Sequence, residues 1–90
     1  MAWTAEFSPA AEKALASLDK PVQRRIRDFI DNRLLSAPDP RKLGAALSGD
    51  LKGAWKYRVG DWRIVARLKD EVVTIYVVRI GHRREVYGRG

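Results

Sequence analysis

Lys56, Arg58, Arg63 and Arg67 are the side chains in this sequence best placed by type and spacing to do chemistry. They lie in the stretch Trp55–Leu68, which reads as two strands joined by a tight turn at Gly60-Asp61, with Gly at the first central position. That turn pairs Val59 with Trp62, Arg58 with Arg63 and Lys56 with Val65. Side chains alternate faces along a strand. One face therefore carries Trp55, Tyr57, Val59, Trp62, Ile64, Ala66 and Leu68, and the other carries Lys56, Arg58, Arg63, Val65 and Arg67. A three-residue loop would move Arg63 to the opposite face, but it would also separate Ile64, Ala66 and Leu68 from Tyr57 and Val59. Like charges directly opposite one another destabilise a strand pair. A chain that keeps them there is expected to use them, and the natural target of such a cluster is a phosphate. The competing reading is a solvated sheet face that happens to be basic.

Metal-free cleavage of RNA is the chemistry these groups suit. The 2′-hydroxyl of RNA is an internal nucleophile that can attack the adjacent phosphate, leaving a 2′,3′-cyclic phosphate and a free 5′-hydroxyl. A protein that promotes this must accept one proton, return another, and stabilise extra negative charge on the phosphoryl oxygens. One well-placed donor supplies about 3 kcal/mol of the last term, and proton transfer contributes roughly 10²–10⁴-fold. Lys56 is the candidate base, since Arg58 and Arg63 flank it on one face and nearby cations lower a lysine pKa. Arginine holds its proton tightly, so an acid role for one needs the field of a developing leaving-group anion. Downstream, Arg83 and Arg84 add cations, and Tyr87 offers a ring for stacking and a phenol for proton transfer. Plainer roles are edge packing for Tyr87 and pairing of Arg84 with Glu85.

Other chemistries find less support. Two-metal sites need several carboxylates together, whereas Asp50, Asp61, Asp70 and Glu71 fall in loops and turns, and Glu85 alone lies near the basic residues. No metal or cofactor is expected. His82 is the single histidine, so a histidine pair is impossible, and a surface role suits it better than catalysis.

The elements that must position these residues follow from patterning. Ala2–Phe7 reads as a first strand. Ser8-Pro9 opens a helix, with Ser as cap and Pro at the first helical position, and Ala11, Ala14, Leu15 and Leu18 form its apolar stripe. Asp19 and Pro21 restart a second helix with the stripe Val22, Ile26, Phe29, Ile30 and Leu34, ended before Pro38. Its other face, with Arg24, Arg25, Arg27, Asp28, Asp31 and Arg33, reads as solvated surface. Residues 36–50 read as loop. Strands follow at about 51–59, 62–69 and 72–80, with Asp70-Glu71 as the second turn, and the last is apolar enough to be central. The expected fold is α+β: a helical hairpin on one face of a mainly antiparallel four-stranded sheet, β-α-α-β-β-β, in one domain over residues 1–90. Trp55 and Trp62 belong to its core.

Charge is distributed unevenly. Residues 1–40 hold six Lys or Arg against six Asp or Glu, and residues 41–90 hold twelve against five, so the whole net charge of +7 falls in the half with the basic strands. Such a patch attracts polyanions in a salt-dependent way. No basic amphipathic helix points to a membrane surface. There is no cysteine, no apolar run of the roughly 20 residues that span a bilayer, and no secretory signal pattern. A cytoplasmic location is expected.

The stretch Leu47–Val65, LSGDLKGAWKYRVGDWRIV, resembles the signature of the RelE/ParE toxin superfamily, and Gly81–Tyr87, GHRREVY, resembles that of its RelE branch. With the order of elements, the resemblance covers nearly the whole chain. It implies the toxin of a type II toxin–antitoxin pair that cuts mRNA in the ribosomal A site. It also implies an acidic, DNA-binding cognate antitoxin that wraps the toxin, with operator DNA reached only through their complex. By the same resemblance Lys56 matches the general base, Arg63 a phosphate-binding arginine, Arg83 the proposed general acid, and Tyr87 the tyrosine that positions a base of the message. Arg58 stands where the RelE branch has a second lysine. Lys52, Arg67 and Arg84 are assigned to contact with RNA or the ribosome. Two departures are visible: a shorter interval between Arg83 and Tyr87, and an end at Gly90 that leaves no room for a C-terminal helix. ParE-type members share the scaffold but poison DNA gyrase without cutting RNA, and are the alternative. An inert paralogue acting only in operon binding ranks third.

Overall fold

A computed structural model of the chain describes residues 3–82. Strand β1 (Thr4–Phe7) leads into α1 (Pro9–Ala16) and α2 (Lys20–Asp28). Four further strands follow: β2 (Ala45–Ala46), β3 (Trp55–Val59), β4 (Trp62–Lys69) and β5 (Thr74–His82). They form one sheet in the order β1-β5-β4-β3-β2, parallel between β1 and β5 and antiparallel elsewhere. The α+β fold is as expected, with a fifth strand that patterning placed in a loop. That strand is two residues long, Ala45 opposite Lys56 and Ala46 opposite Trp55, too short to show a period. The third strand opens at Trp55 rather than near residue 51, because Gly49–Leu51 winds into a 3₁₀ turn.

Ser8 starts α1 as patterning predicts: its hydroxyl accepts from the Ala11 N–H at 3.0 Å, and Pro9 follows. The second helix continues past Asp28 as a π-helix over Phe29–Leu34, and the Leu35 N–H donates to the Ile30 carbonyl at 2.9 Å. Ile26, Ile30 and Leu34 are separated by four residues, and each such step in an α-helix overshoots a full turn by about 40°. The wider π turn removes that drift and keeps all three buried. Both helices cover one sheet face. Ala11, Leu15, Ile26, Ile30 and Leu34 meet Tyr57, Val59, Ile64, Ala66, Ile75, Val77 and Ile80 there, with Trp55 and Trp62 packed at the margin.

Between β4 and β5 the turn is longer than Asp70-Glu71. Asp70–Val72 forms a 3₁₀ turn and Val73 sits at φ 48, a left-handed conformation that a β-branched residue seldom adopts. Arg41 bridges to Asp70 from the segment after the second helix. No helix among the described residues is long and apolar enough to cross a membrane.

Candidate active site

The β3–β4 hairpin carries the candidate site, and its register is the one the Gly60-Asp61 turn predicts. Gly60 adopts φ +62 at the first central position, which glycine tolerates without steric cost. Val59 pairs with Trp62, Arg58 with Arg63, and Lys56 with Val65. Tyr57, Val59, Ile64 and Ala66 face the helices and are buried. Lys56, Arg58, Arg63, Val65 and Arg67 share the opposite face.

These residues sit in different environments. Lys56 is half-buried and Arg58 is exposed. Arg63 is only 7 % exposed. Its Nη1 donates to the carbonyls of Gly60 and Trp62, each at 3.3 Å, while its Nε is buried with no hydrogen-bond partner. Arg67 is exposed and donates from Nη1 to the Lys52 carbonyl at 3.3 Å. It thus pins the loop that carries Lys52, a structural task added to the expected RNA contact. Among the described residues, Arg58, Arg63 and Arg67 make no ion pair. A carboxylate does share the face: Glu6 on β1 lies beside Tyr76, which pairs with Arg67, so it is three strands away from Lys56. Arg83, Arg84 and Tyr87 lie outside the described residues.

The basic face has a dry floor that charge patterning does not reveal. Val65 and Ala54 are fully buried there, with Leu47 and Val78 packed against them. The loop from Leu47 to Ala54 forms this cover, closed by hydrogen bonds from the Leu47 N–H to the Ala54 carbonyl and from the Ala54 N–H to the Leu51 carbonyl, both 3.0 Å.

Arg58 also reaches a second environment. β2 ends opposite Lys56, so the outer edge of β3 is uncovered at Arg58 and Val59. Arg58 and Val59 line an open groove of about 450 Å³ together with Arg25, Asp28, Phe29, Asn32 and Arg33 from the second helix and its π segment. The helix face expected to be plain surface is one wall of this groove. His82 is half-buried, its ring edge-on to Trp62 at 5.5 Å, which is a packing role rather than a surface one.

Tyr57 anchors the strand that bears Lys56 and Arg58. It is 1 % exposed, and its hydroxyl donates to the Pro40 carbonyl at 3.0 Å. Burial, opposed in part by the Arg41 charge, pushes its phenol up to about 12. An unfolded tyrosine titrates near 10. The folded state therefore keeps the proton while the unfolded state loses it, so this contribution is complete below about pH 10 and is lost as pH rises towards about 12. Melting temperature measured from pH 8 to 11 is expected to fall more steeply in the wild type than in Tyr57→Phe. Parallel curves would show that burial does not hold this proton.

What the arrangement can do is bind a polyanion along one sheet face and place cations of unlike exposure around a small apolar floor. Comparison with known proteins gives that surface a context. Residues 5–87 match the model of the family described as ParE toxin of type II toxin-antitoxin system, parDE. Toxin RelG of Mycobacterium tuberculosis is 28% identical over 89 residues, covering 99% of this chain and 100% of that protein. A chain of the toxin–antitoxin complex RelBE2 from the same organism superposes with a TM-score of 0.83 at 26% identity, covering 92% of this chain and 100% of that one. One from the archaeal RelE–RelB complex of Pyrococcus horikoshii OT3 gives 0.72 at 27% identity, covering 94% and 99%. The chain thus belongs to the ParE toxin family of type II toxin–antitoxin systems and, within the RelE/ParE superfamily, is RelE-like.

Proposed function

We propose that this toxin is an mRNA endoribonuclease that acts in the cytoplasm on translating ribosomes, needs no metal, and is held inactive by a cognate antitoxin. The observation that carries this reading is the basic face of the hairpin, where Arg63 is buried beside the turn with an unsatisfied donor and no carboxylate partner among the described residues. A buried cation with unused donors suits a phosphate.

In the proposed reaction Lys56 takes the proton of the 2′-hydroxyl as that oxygen attacks the adjacent phosphorus. Arg63 and Arg58 stabilise the charge that builds on the phosphoryl oxygens. The bond from phosphorus to the 5′-oxygen breaks, and Arg83 supplies the proton that oxygen needs. Tyr87 stacks on a base of the message, and Lys52, Arg67 and Arg84 bind the surrounding RNA. The antitoxin partner is supported by two solved relatives that are toxin–antitoxin complexes. It is acidic, matching the +7 charge of the toxin, and operator DNA is met only through the complex.

Adding the protein to a translating extract and mapping mRNA ends by primer extension tests the proposal. New 5′ ends within the message are expected. Because the matching family model bears the ParE name, gyrase supercoiling is assayed in parallel. Intact message with gyrase blocked would overturn the nuclease reading in favour of a gyrase poison.

A further inference from the structure

Strict alternation along β5 would send Arg79 into the core. Ile75 and Val77 are both fully buried against the helices, and position 79 follows them at the strand period of two. A bulge prevents this. Val65 pairs with Arg79 and Ala66 with Val77, so Val78 is an extra residue opposite no partner. Arg79 thereby moves to the basic face, and Ile80 takes the core position opposite Ile64. The bulge is well supported. The Ser8 hydroxyl donates to the Val78 carbonyl at 3.0 Å, and the Ser8 N–H donates to the Val77 carbonyl at 2.8 Å. Bulges next to active sites commonly re-aim a side chain in this way.

The register that results is a row across three strands: Lys56 on β3, Val65 on β4, Arg79 on β5. Neighbouring strands lie about 4.8 Å apart, so the backbones of Lys56 and Arg79 are separated by about 10 Å. Between them is Val65, 0 % exposed and part of the dry floor. Charges beside such a floor are screened less than charges in water. In the next row Arg58 pairs with Arg63 and Arg63 with Gly81, so β5 contributes no side chain beside Arg63. Lys56 and Arg79 therefore flank the apolar patch that Ala54, Leu47 and Val78 build over Val65, one from each side.

We infer that Arg79 is a phosphate-binding residue of the RNA site, brought onto the basic face by the bulge and gripping the reacting phosphate from the β5 side of the apolar patch while Lys56 works from the β3 side. Its planar fork of donors matches two phosphoryl oxygens at once. The inference rests on the RNA-cleaving reading of this face and adds a residue to it.

Two measurements on Arg79→Gln, Arg79→Lys and the helix control Arg27→Gln test the assignment, with melting curves to verify folding. The first is the cleavage rate in a translating extract. Arg79→Gln is expected to lose about 10²-fold, Arg79→Lys less, and Arg27→Gln nothing comparable. The second is binding to a single-stranded RNA oligonucleotide that is 2′-O-methylated and so cannot be cut, measured against salt. Loss of one phosphate contact lowers the slope of log K against log salt by about 0.7. A folded Arg79→Gln protein with the wild-type slope would overturn the assignment whatever its cleavage rate. A reduced slope with wild-type cleavage would overturn it too, by placing Arg79 on RNA away from the reacting phosphate. Should the wild type leave message intact, the nuclease reading fails by itself, and the slope still decides whether Arg79 meets a phosphate.

Discussion

Arg63→Met is expected to raise the melting temperature while cutting RNA cleavage by about 10²–10³-fold. The two effects have one cause. The Arg63 side chain is nearly out of water, its Nη1 holds two backbone carbonyls at 3.3 Å, and its Nε has no partner. A buried donor left unmade costs about 1–3 kcal/mol. Replacing a poorly satisfied buried charge with an apolar group of similar length is often neutral or stabilising. Methionine also continues the apolar floor begun by Val65 and Ala54. A gain of about 1 kcal/mol corresponds to roughly 4–8 °C in a domain of this size. Arg63→Lys separates charge from geometry, because it keeps the cation and loses the fork, and it is expected to recover a minor part of the activity. Arg27→Ala, on the exposed face of α2, is expected to leave cleavage unchanged. Thermal melts and primer extension on the same preparations decide the matter. If Arg63→Met melts lower than the wild type, Arg63 is holding the hairpin turn together and its burial is structural. Equal cleavage by the Arg63 and Arg27 variants would remove Arg63 from the site.

Hairpin register was legible because it is a local property. Gly60 at φ +62 and the alternation on either side of it leave one arrangement that buries Tyr57, Val59, Ile64 and Ala66 together. The helix start at Ser8 was legible for the same reason, since the cap and its Pro are adjacent in sequence. The bulge was not. Val77 and Val78 are equally apolar, so periodicity cannot say which is the extra residue, and only pairing with β4 settles it. Nothing in the sequence around Arg79 therefore places it on the basic face. The groove beside Arg58 has no local signature because it depends on where β2 stops, a long-range fact about a two-residue strand. Burial of Arg63 had no signal in its neighbours, which alternate as an exposed arginine's would. The dry floor brings Leu47 and Ala54 onto Val65 and Val78 from a loop whose closure no spacing rule predicts. Local chemistry, then, identified which residues share a face. Their different degrees of exposure came from contacts made by segments distant in sequence.

Gly44→Ala tests how firmly that face is set, and the expected effect is large. A Cβ at Gly44 would lie 2.6 Å from the Lys56 carbonyl oxygen, 2.7 Å from Cε1 of Tyr57 and 2.8 Å from its Cδ1. Backbone strain is not the issue, since Gly44 has φ -134, which any residue adopts. The problem is space, and neither neighbour can yield. Tyr57 is fully buried with its hydroxyl tied to Pro40, and the Lys56 carbonyl belongs to the backbone of β3, which is paired on the far side with β4. Overpacking of this kind costs typically 1–3 kcal/mol and occasionally more. At about 3 kcal/mol the melting temperature falls by roughly 12–24 °C. Relief has to come from movement of β3, and that carries Lys56 with it. A displacement of about 1 Å at a reacting group costs on the order of 10²-fold in rate, so cleavage is expected to fall well below wild type even at temperatures where the variant is folded. Ala46→Ser, on the exposed β2 strand, is the control and should change neither property. A cycle with Tyr57→Leu apportions the clash. Removing the ring relieves two of the three close contacts but not the one to the Lys56 carbonyl, so the double variant should recover part of the stability increment and little of the activity. A Gly44→Ala protein that melts within about 2 °C of wild type, a cost of about half a kcal/mol at most, would mean that β3 is loose enough to accept the methyl group, and a strand that loose could not hold Lys56 in register for the proposed reaction.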